Sequence, residues 1–283
     1  MIENPGARAT AKIATVKFVK DMFVDVRNAK MFVVFMVGTA GSGKSLLTAS
    51  FTDWLKMEKQ DVITVNLDPG VLNLPYKPDV DVRDYVNVED LMEKYGLGPN
   101  GALVIAADLI AEEADRLGEE IESLKPDIAI VDTPGQMELF AFRASGPYIV
   151  NELTKDPKTI VYLFDSVFSL NPLNYVSNLF LSAAVYNRFF TSQVYVLSKC
   201  DLLQPEDVNR IVDWSANPLA LETSIEETLS GTGRILSRDM THVIYRMGLR
   251  FLLIPASAKT KEGFVNLNAA LLRCYNRDQW TSL

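Results

Sequence analysis

With 283 residues, 48% of them apolar, and a net charge of −8, the chain can fill one large α/β domain or two small ones, and it is too apolar to stay disordered. The acidic balance argues against a surface that coats nucleic acid, and no direct nucleic-acid site is evident. Two cysteines, Cys200 and Cys274, are too few for a disulfide framework or a cysteine-rich metal site, no run approaches about 18 uninterrupted apolar residues, and residues 1–30 lack a secretory pattern; a reducing, cytoplasmic setting without membrane association is expected.

Residues 1–30 stand apart as an N-terminal extension, with six basic residues against three acidic ones. Ile13, Val16, Val19, Phe23 and Val26 recur at helical spacing. Three readings stay open: an added helix on the domain, a surface-binding basic helix, or residues upstream of a start at Met31.

From residue 31 onward the pattern is that of one α/β domain. The apolar run 31–37 leads into Gly38-Thr39-Ala40-Gly41-Ser42-Gly43-Lys44-Ser45, and residues 46–55 follow with helical character. Strand, glycine-rich loop and helix in that order match the P-loop pattern G-x-x-x-x-G-K-[ST]. Glycines let backbone N–H groups curl around a phosphate, and the helix N-terminus adds partial positive charge. Lys44 has the reach for β- and γ-phosphates, and the Ser45 hydroxyl suits Mg²⁺. Gly38, Gly41, Ser42, Gly43, Lys44, Ser45 and Leu46 are therefore expected to bind nucleotide.

A second apolar strand, 62–68, ends in Asp68 and is broken by Pro69-Gly70. Ligands in open α/β sheets bind beyond the carboxyl ends of the strands, which aims Asp68 at the phosphates unless it is an ordinary turn residue. Residues 71–87 read as a loop, 88–95 as a short helix, and 96–101 as a turn too rich in Gly and Pro for helix or central strand. A long helix is expected over 102–124, acidic on one face.

The strand 127–132 ends in Asp132, the position from which a carboxylate holds Mg²⁺ through water. Thr133-Pro134-Gly135-Gln136-Met137-Glu138 follows: the Gly135 N–H can detect a γ-phosphate, and Gln136 can orient an attacking water. After a strand at 159–165 and an apolar helix near 174–190, the strand 193–197 delivers Ser198-Lys199-Cys200-Asp201. The Asp201 carboxylate matches the N1–H and N2–H₂ donors of guanine, a pair that adenine lacks. A helical insertion at about 204–248, with a Pro218 break and a Gly231-Thr232-Gly233 turn, precedes the last strand, 250–255. Ser257-Ala258-Lys259 then offers a backbone N–H, at Ala258, to the guanine O6, and a helix closes the chain over 262–275. The single histidine, His242, falls in the insertion, where a structural or exposed role is expected.

Taken in order, these motifs resemble a GTPase. The tripeptide Gly98-Pro99-Asn100, together with Asn66-Leu67-Asp68-Pro69, Asp81-Val82-Arg83-Asp84 and residues 132–138, resembles the GPN-loop GTPases over about residues 31–275, in their compact, archaeal-type form. The resemblance implies a P-loop NTPase fold with a mainly parallel sheet flanked by helices. It also implies a homodimer in which each Gly98-Pro99-Asn100 loop enters the partner's active site and Asn100 meets the γ-phosphate. It links Asp68, Gln136 and Glu138 to magnesium and the attacking water, and it suggests a protein client such as RNA polymerase. Three departures stand out. Ser198 replaces the usual Asn, weakening the tie to the P-loop; Gly70 stands where alanine is common, loosening its loop; and no second lysine occupies Thr39 or Ala40.

The expected activity is Mg²⁺-dependent GTP hydrolysis, with a P-loop kinase acting on a small acceptor as one rival. The other is an assembly factor for which GTP only times partner binding.

Overall fold

The computed structural model describes residues 31–228, 230–246 and 251–281; the extension at 1–30 lies outside the described residues. The strands are β1 (Phe32–Gly38), β2 (Val62–Asn66), β3 (Val80–Asp81), β4 (Ile128–Asp132), β5 (Lys158–Asp165), β6 (Gln193–Ser198) and β7 (Leu253–Pro255). They form one sheet in the order β3-β2-β4-β1-β5-β6-β7, parallel throughout. The helices are α1 (Lys44–Met57), α2 (Val88–Tyr95), α3 (Pro99–Glu112), α4 (Ala114–Ser123), α5 (Met137–Ala141) and α6 (Ser145–Glu152). They continue with α7 (Pro172–Phe189), α8 (Pro205–Ala216), α9 (Pro218–Thr228), α10 (Gly231–Arg246) and α11 (Phe264–Thr281).

Parallel strands need helical crossovers, which cover both faces of the sheet; that is why the strands read as unbroken apolar runs. All seven residues of β1 are buried, and their alternation divides them between two cores. Phe32, Val34 and Met36 face α1 and α11, where Phe51 meets Phe264 edge-on at 5.2 Å. Val33, Phe35 and Val37 belong to the larger core, built with residues of α2 to α10. Burying each such side chain contributes about 1.5–3 kcal/mol, which fixes strand register firmly. In that register Asp132 pairs with Met36 on one side and Asn66 on the other, so the strand ends that carry the motifs lie level.

Several local expectations change. The stretch 71–87 contains β3 and a one-turn 3-10 helix, Val82–Asp84, capped by Asp81; a two-residue edge strand is too short to leave a periodic signal. Gly96–Gly101 is not all turn. Gly98 is the N-cap of α3 and Pro99 its first residue, where a missing N–H leaves nothing unpaired. The acidic run 102–124 is two helices, separated at Glu113. Helices α5 and α6 were not anticipated; Gly146 lets them close, since a Cβ there would lie 1.5 Å from the Phe140 carbonyl oxygen. The insertion is helical, as α8 to α10, but Gly231-Thr232-Gly233 is the first turn of α10 rather than a connection. Strand β7 is shorter than 250–255, and residues 247–250 lie outside the described residues. Among the described residues no helix is long and apolar enough to cross a membrane.

Candidate active site

The loop between β1 and α1 turns on Gly41 and Gly43, whose φ values of +75° and +93° are strained for any side chain. Gly43 caps α1, whose first turn carries no acidic residue, so its N–H groups and positive end face the loop unopposed. Lys44 is 5% exposed and bends back across the loop; its Nζ donates to the carbonyls of Gly38 (2.9 Å), Thr39 (3.1 Å) and Gly135 (3.4 Å). Burial pushes its pKa down, while the charges of Asp132, Asp68 and Glu138 pull it up.

Asp132, at the end of β4, is 1% exposed. Burial pushes its carboxyl up to about 6, against the pull of the neighbouring Ser45 and Tyr76 hydroxyls and of the Lys44 charge. Oδ2 accepts a hydrogen bond from the Tyr76 hydroxyl at 3.1 Å, while Oδ1 is buried with no hydrogen-bond partner. A buried carboxylate oxygen without a donor is costly unless positive charge meets it. Among the described residues no three His, Cys, Asp or Glu side chains converge as a metal cage. With that buried oxygen unpartnered, Ser45 and Asp132 would suit a magnesium ion, which phosphate and water oxygens would have to complete.

Asp68 lies just past β2. Its Oδ2 accepts from the Gly135 N–H at 2.8 Å and its Oδ1 from the Gly70 N–H at 3.0 Å. The N–H expected to sense a γ-phosphate is thus the one that joins the two loops. Behind it, Asn66 donates to the Asp68 carbonyl (3.2 Å) and to Asp81 Oδ1 (2.9 Å), and Arg83 forks onto Asp81 at 2.6–3.1 Å. Gly70 packs beneath α3. A Cβ there would stand 2.7 Å from Leu103 Cδ2, so the bare glycine admits α3 against the loop. A cavity of about 240 Å³ lies beside this contact, lined by Ala40, Asp68, Leu103, Gly135, Gln136 and neighbouring apolar side chains. Gln136 is the exposed N-cap of α5 and Glu138 is exposed in its first turn, both on this side of the crevice. Gly98, Pro99 and Asn100 are exposed at the start of α3 and are not part of the cavity wall.

On the other side of the P-loop, Ser198 Oγ lies 2.7 Å from the Ser42 carbonyl oxygen and 3.1 Å from that of Phe164. The serine still ties its motif to the P-loop, through this one hydroxyl. Lys199 takes φ +58°, donates to Asp165 Oδ2 at 2.7 Å, and lays its stem near Gly43. Asp201 is exposed; its Oδ1 accepts from the buried Ser257 hydroxyl at 2.6 Å, and that oxygen accepts in turn from the N–H groups of Lys259 and Thr260. The Ala258 carbonyl is held by Ser50 of α1 at 2.6 Å. His242 sits on α10 within 3.5 Å of Glu222.

Tyr76 and Asp165 were not singled out from the sequence, and Asn66, Asp81 and Arg83 entered only through the family resemblance, with no role assigned. Asp165 carried the signal that marked Asp68 and Asp132, a carboxylate at a strand end. Tyr76 carried none.

A family model described as "Conserved hypothetical ATP binding protein" matches residues 36–276. The GPN-loop GTPase PAB0955 of Pyrococcus abyssi is 35% identical over 253 residues, covering 87% of this chain and 97% of the archaeal protein. A crystal structure of that protein matches with a TM-score of 0.76 at 33% identity, over 87% of this chain and 97% of the other. GPN-loop GTPase 1 of Saccharomyces cerevisiae is 29% identical over 243 residues, which are 82% of this chain and 62% of the yeast protein.

Proposed function

The chain belongs to the GPN-loop GTPase family and is a GTP hydrolase, and from that premise we propose that it works as a magnesium-dependent homodimer whose nucleotide state times the binding of a protein client. The observation that carries the hydrolytic part of this reading is the convergence of Lys44, Asp132, Asp68 and Gly135 on one P-loop from three adjacent strand ends; the dimer and the client rest on the family resemblance. Water attacks the γ-phosphorus, the bond to the β,γ-bridging oxygen breaks, and GDP and inorganic phosphate leave. Lys44 and the P-loop N–H groups stabilise charge on the phosphoryl oxygens, and Ser45 and Asp132 would hold a magnesium ion, which would supply further neutralisation of phosphate charge. Asp68, Gln136 and Glu138 orient the water. Ser198, Lys199, Asp201 and Ala258 select guanine.

Asn100 acts on the second copy. It is exposed at the N-terminal end of α3, the helix that walls its own cavity through Leu103. Asn100→Ala is expected to lower GTP turnover roughly 10–1000-fold, the range for losing one preorganised donor, with GTP binding retained. Mixing it with a Lys44→Ala protein tests the trans arrangement, since each mixed dimer keeps one intact composite site and regains activity. Unchanged hydrolysis by Asn100→Ala ends that assignment. For the client, RNA polymerase is the one the family resemblance suggests. Pull-downs with GTP-analogue-loaded and GDP-loaded protein should return different partners if nucleotide times binding.

A further inference from the structure

The excursion from β2 to β3, residues 67–79, is fastened at both ends. Thr64 donates from its N–H and hydroxyl to Asp79 Oδ2 at 2.8 and 3.1 Å, Asn66 reaches Asp81, and Arg83 donates to the Val71 carbonyl at 3.1 Å. From this tied loop Tyr76 extends to Asp132, donating to Oδ2 at 3.1 Å, and the tyrosine is only partly exposed. The two oxygens of an aspartate are interchangeable by rotation about a broad two-fold torsion. A hydroxyl that engages one of them removes that equivalence. Here Oδ2 is taken by Tyr76, and Oδ1, buried, has no hydrogen-bond partner of good geometry, with the Ser45 hydroxyl neighbouring the carboxyl.

We propose that Tyr76 is a positioning residue for the magnesium site: its hydroxyl holds one oxygen of the Asp132 carboxylate so that the other stays presented to the cation. This rests on Asp132 being the magnesium-side carboxylate. The same loop also carries Asp68 at its other end, bound to the Gly135 N–H at 2.8 Å. One segment thus sets both carboxylates. A tyrosine that merely filled space would need its ring and not its hydroxyl.

Full-length protein loaded with a fluorescent GDP analogue, chased with unlabelled GDP over a magnesium titration, separates these roles. Tyr76→Phe is expected to need roughly tenfold more Mg²⁺ to slow GDP release, the low end for removing a hydrogen-bonded partner of a metal ligand. Its release rate without metal and its melting temperature should match wild type. Tyr76→Leu should show the same magnesium shift with a lower melting temperature. A Tyr76→Phe titration that superimposes on wild type, or metal-free release accelerated as much as release in magnesium, overturns the proposal. Asp132→Asn provides the independent arm. If it loses the magnesium response while Tyr76→Phe keeps it, only the role of Tyr76 fails; if Asp132→Asn keeps the response, the magnesium-side reading of Asp132 fails as well.

Discussion

At the phosphate end of the crevice Lys44 and Asp132 are buried and hydrogen-bonded within the protein, whereas at the base end Asp201 is exposed and steadied by the Ser257 hydroxyl. The contrast follows from what each end must do. Charge developing on a phosphoryl group is stabilised best by fixed donors in a site of low dielectric, where they need not reorganise. Choosing guanine needs only a carboxylate facing two donors, and discrimination arises from what a wrong base leaves unpaired. The buried end therefore carries the larger free-energy strain. Asp132, raised from 3.8 to about 6, is the clearest case.

The strongest test of this contrast is Asp132→Asn, expected to reduce kcat about a thousandfold through loss of the charge proposed to face magnesium. The same substitution should stabilise the fold. Because the folded pKa is raised, the carboxyl's contribution to stability is present below about pH 4 and is lost as pH rises through 6. At pH 7 the ionised buried group is a standing destabilisation, so Asp132→Asn should gain about 1–3 kcal/mol there and close to nothing at pH 4. Denaturant titrations of the metal-free protein at the two pH values check this. A variant no more stable at pH 7 would mean that the buried end is not strained.

At the base end, Asp201→Ala should raise KM for GTP roughly 10–100-fold and leave kcat within about twofold, because the lost contacts are equal in ground and transition states. Loss of kcat instead would erase the distinction between the two ends. The smallest effect is expected at the joint between them: Ser198→Ala removes the hydrogen bond to the Ser42 carbonyl and should cost about 1 kcal/mol of stability. It should also weaken GTP binding a few fold, readable by titration.

Much of this was legible in the chain. The P-loop, the strand-end aspartates Asp68 and Asp132, and the Ser198–Asp201 segment lie beside one crevice, as their order predicts. The glycine cluster at 96–101 was misread because a proline at a helix start and a proline in a loop look alike locally. The hydrogen bond from Ser198 was not legible because the carbonyl it reaches is 156 residues away.

The amino-acid order by itself determined the buried parallel strands and the glycine-lined loop, since apolar runs and left-handed φ requirements act between near neighbours. Only the tertiary structure decided that Tyr76 would meet Asp132, that Asp68 would take the Gly135 N–H, and that Ser198 would hold Ser42, across separations of 56, 67 and 156 residues. Those contacts depend on strand order and register, which the packing of both sheet faces sets together and no local period encodes.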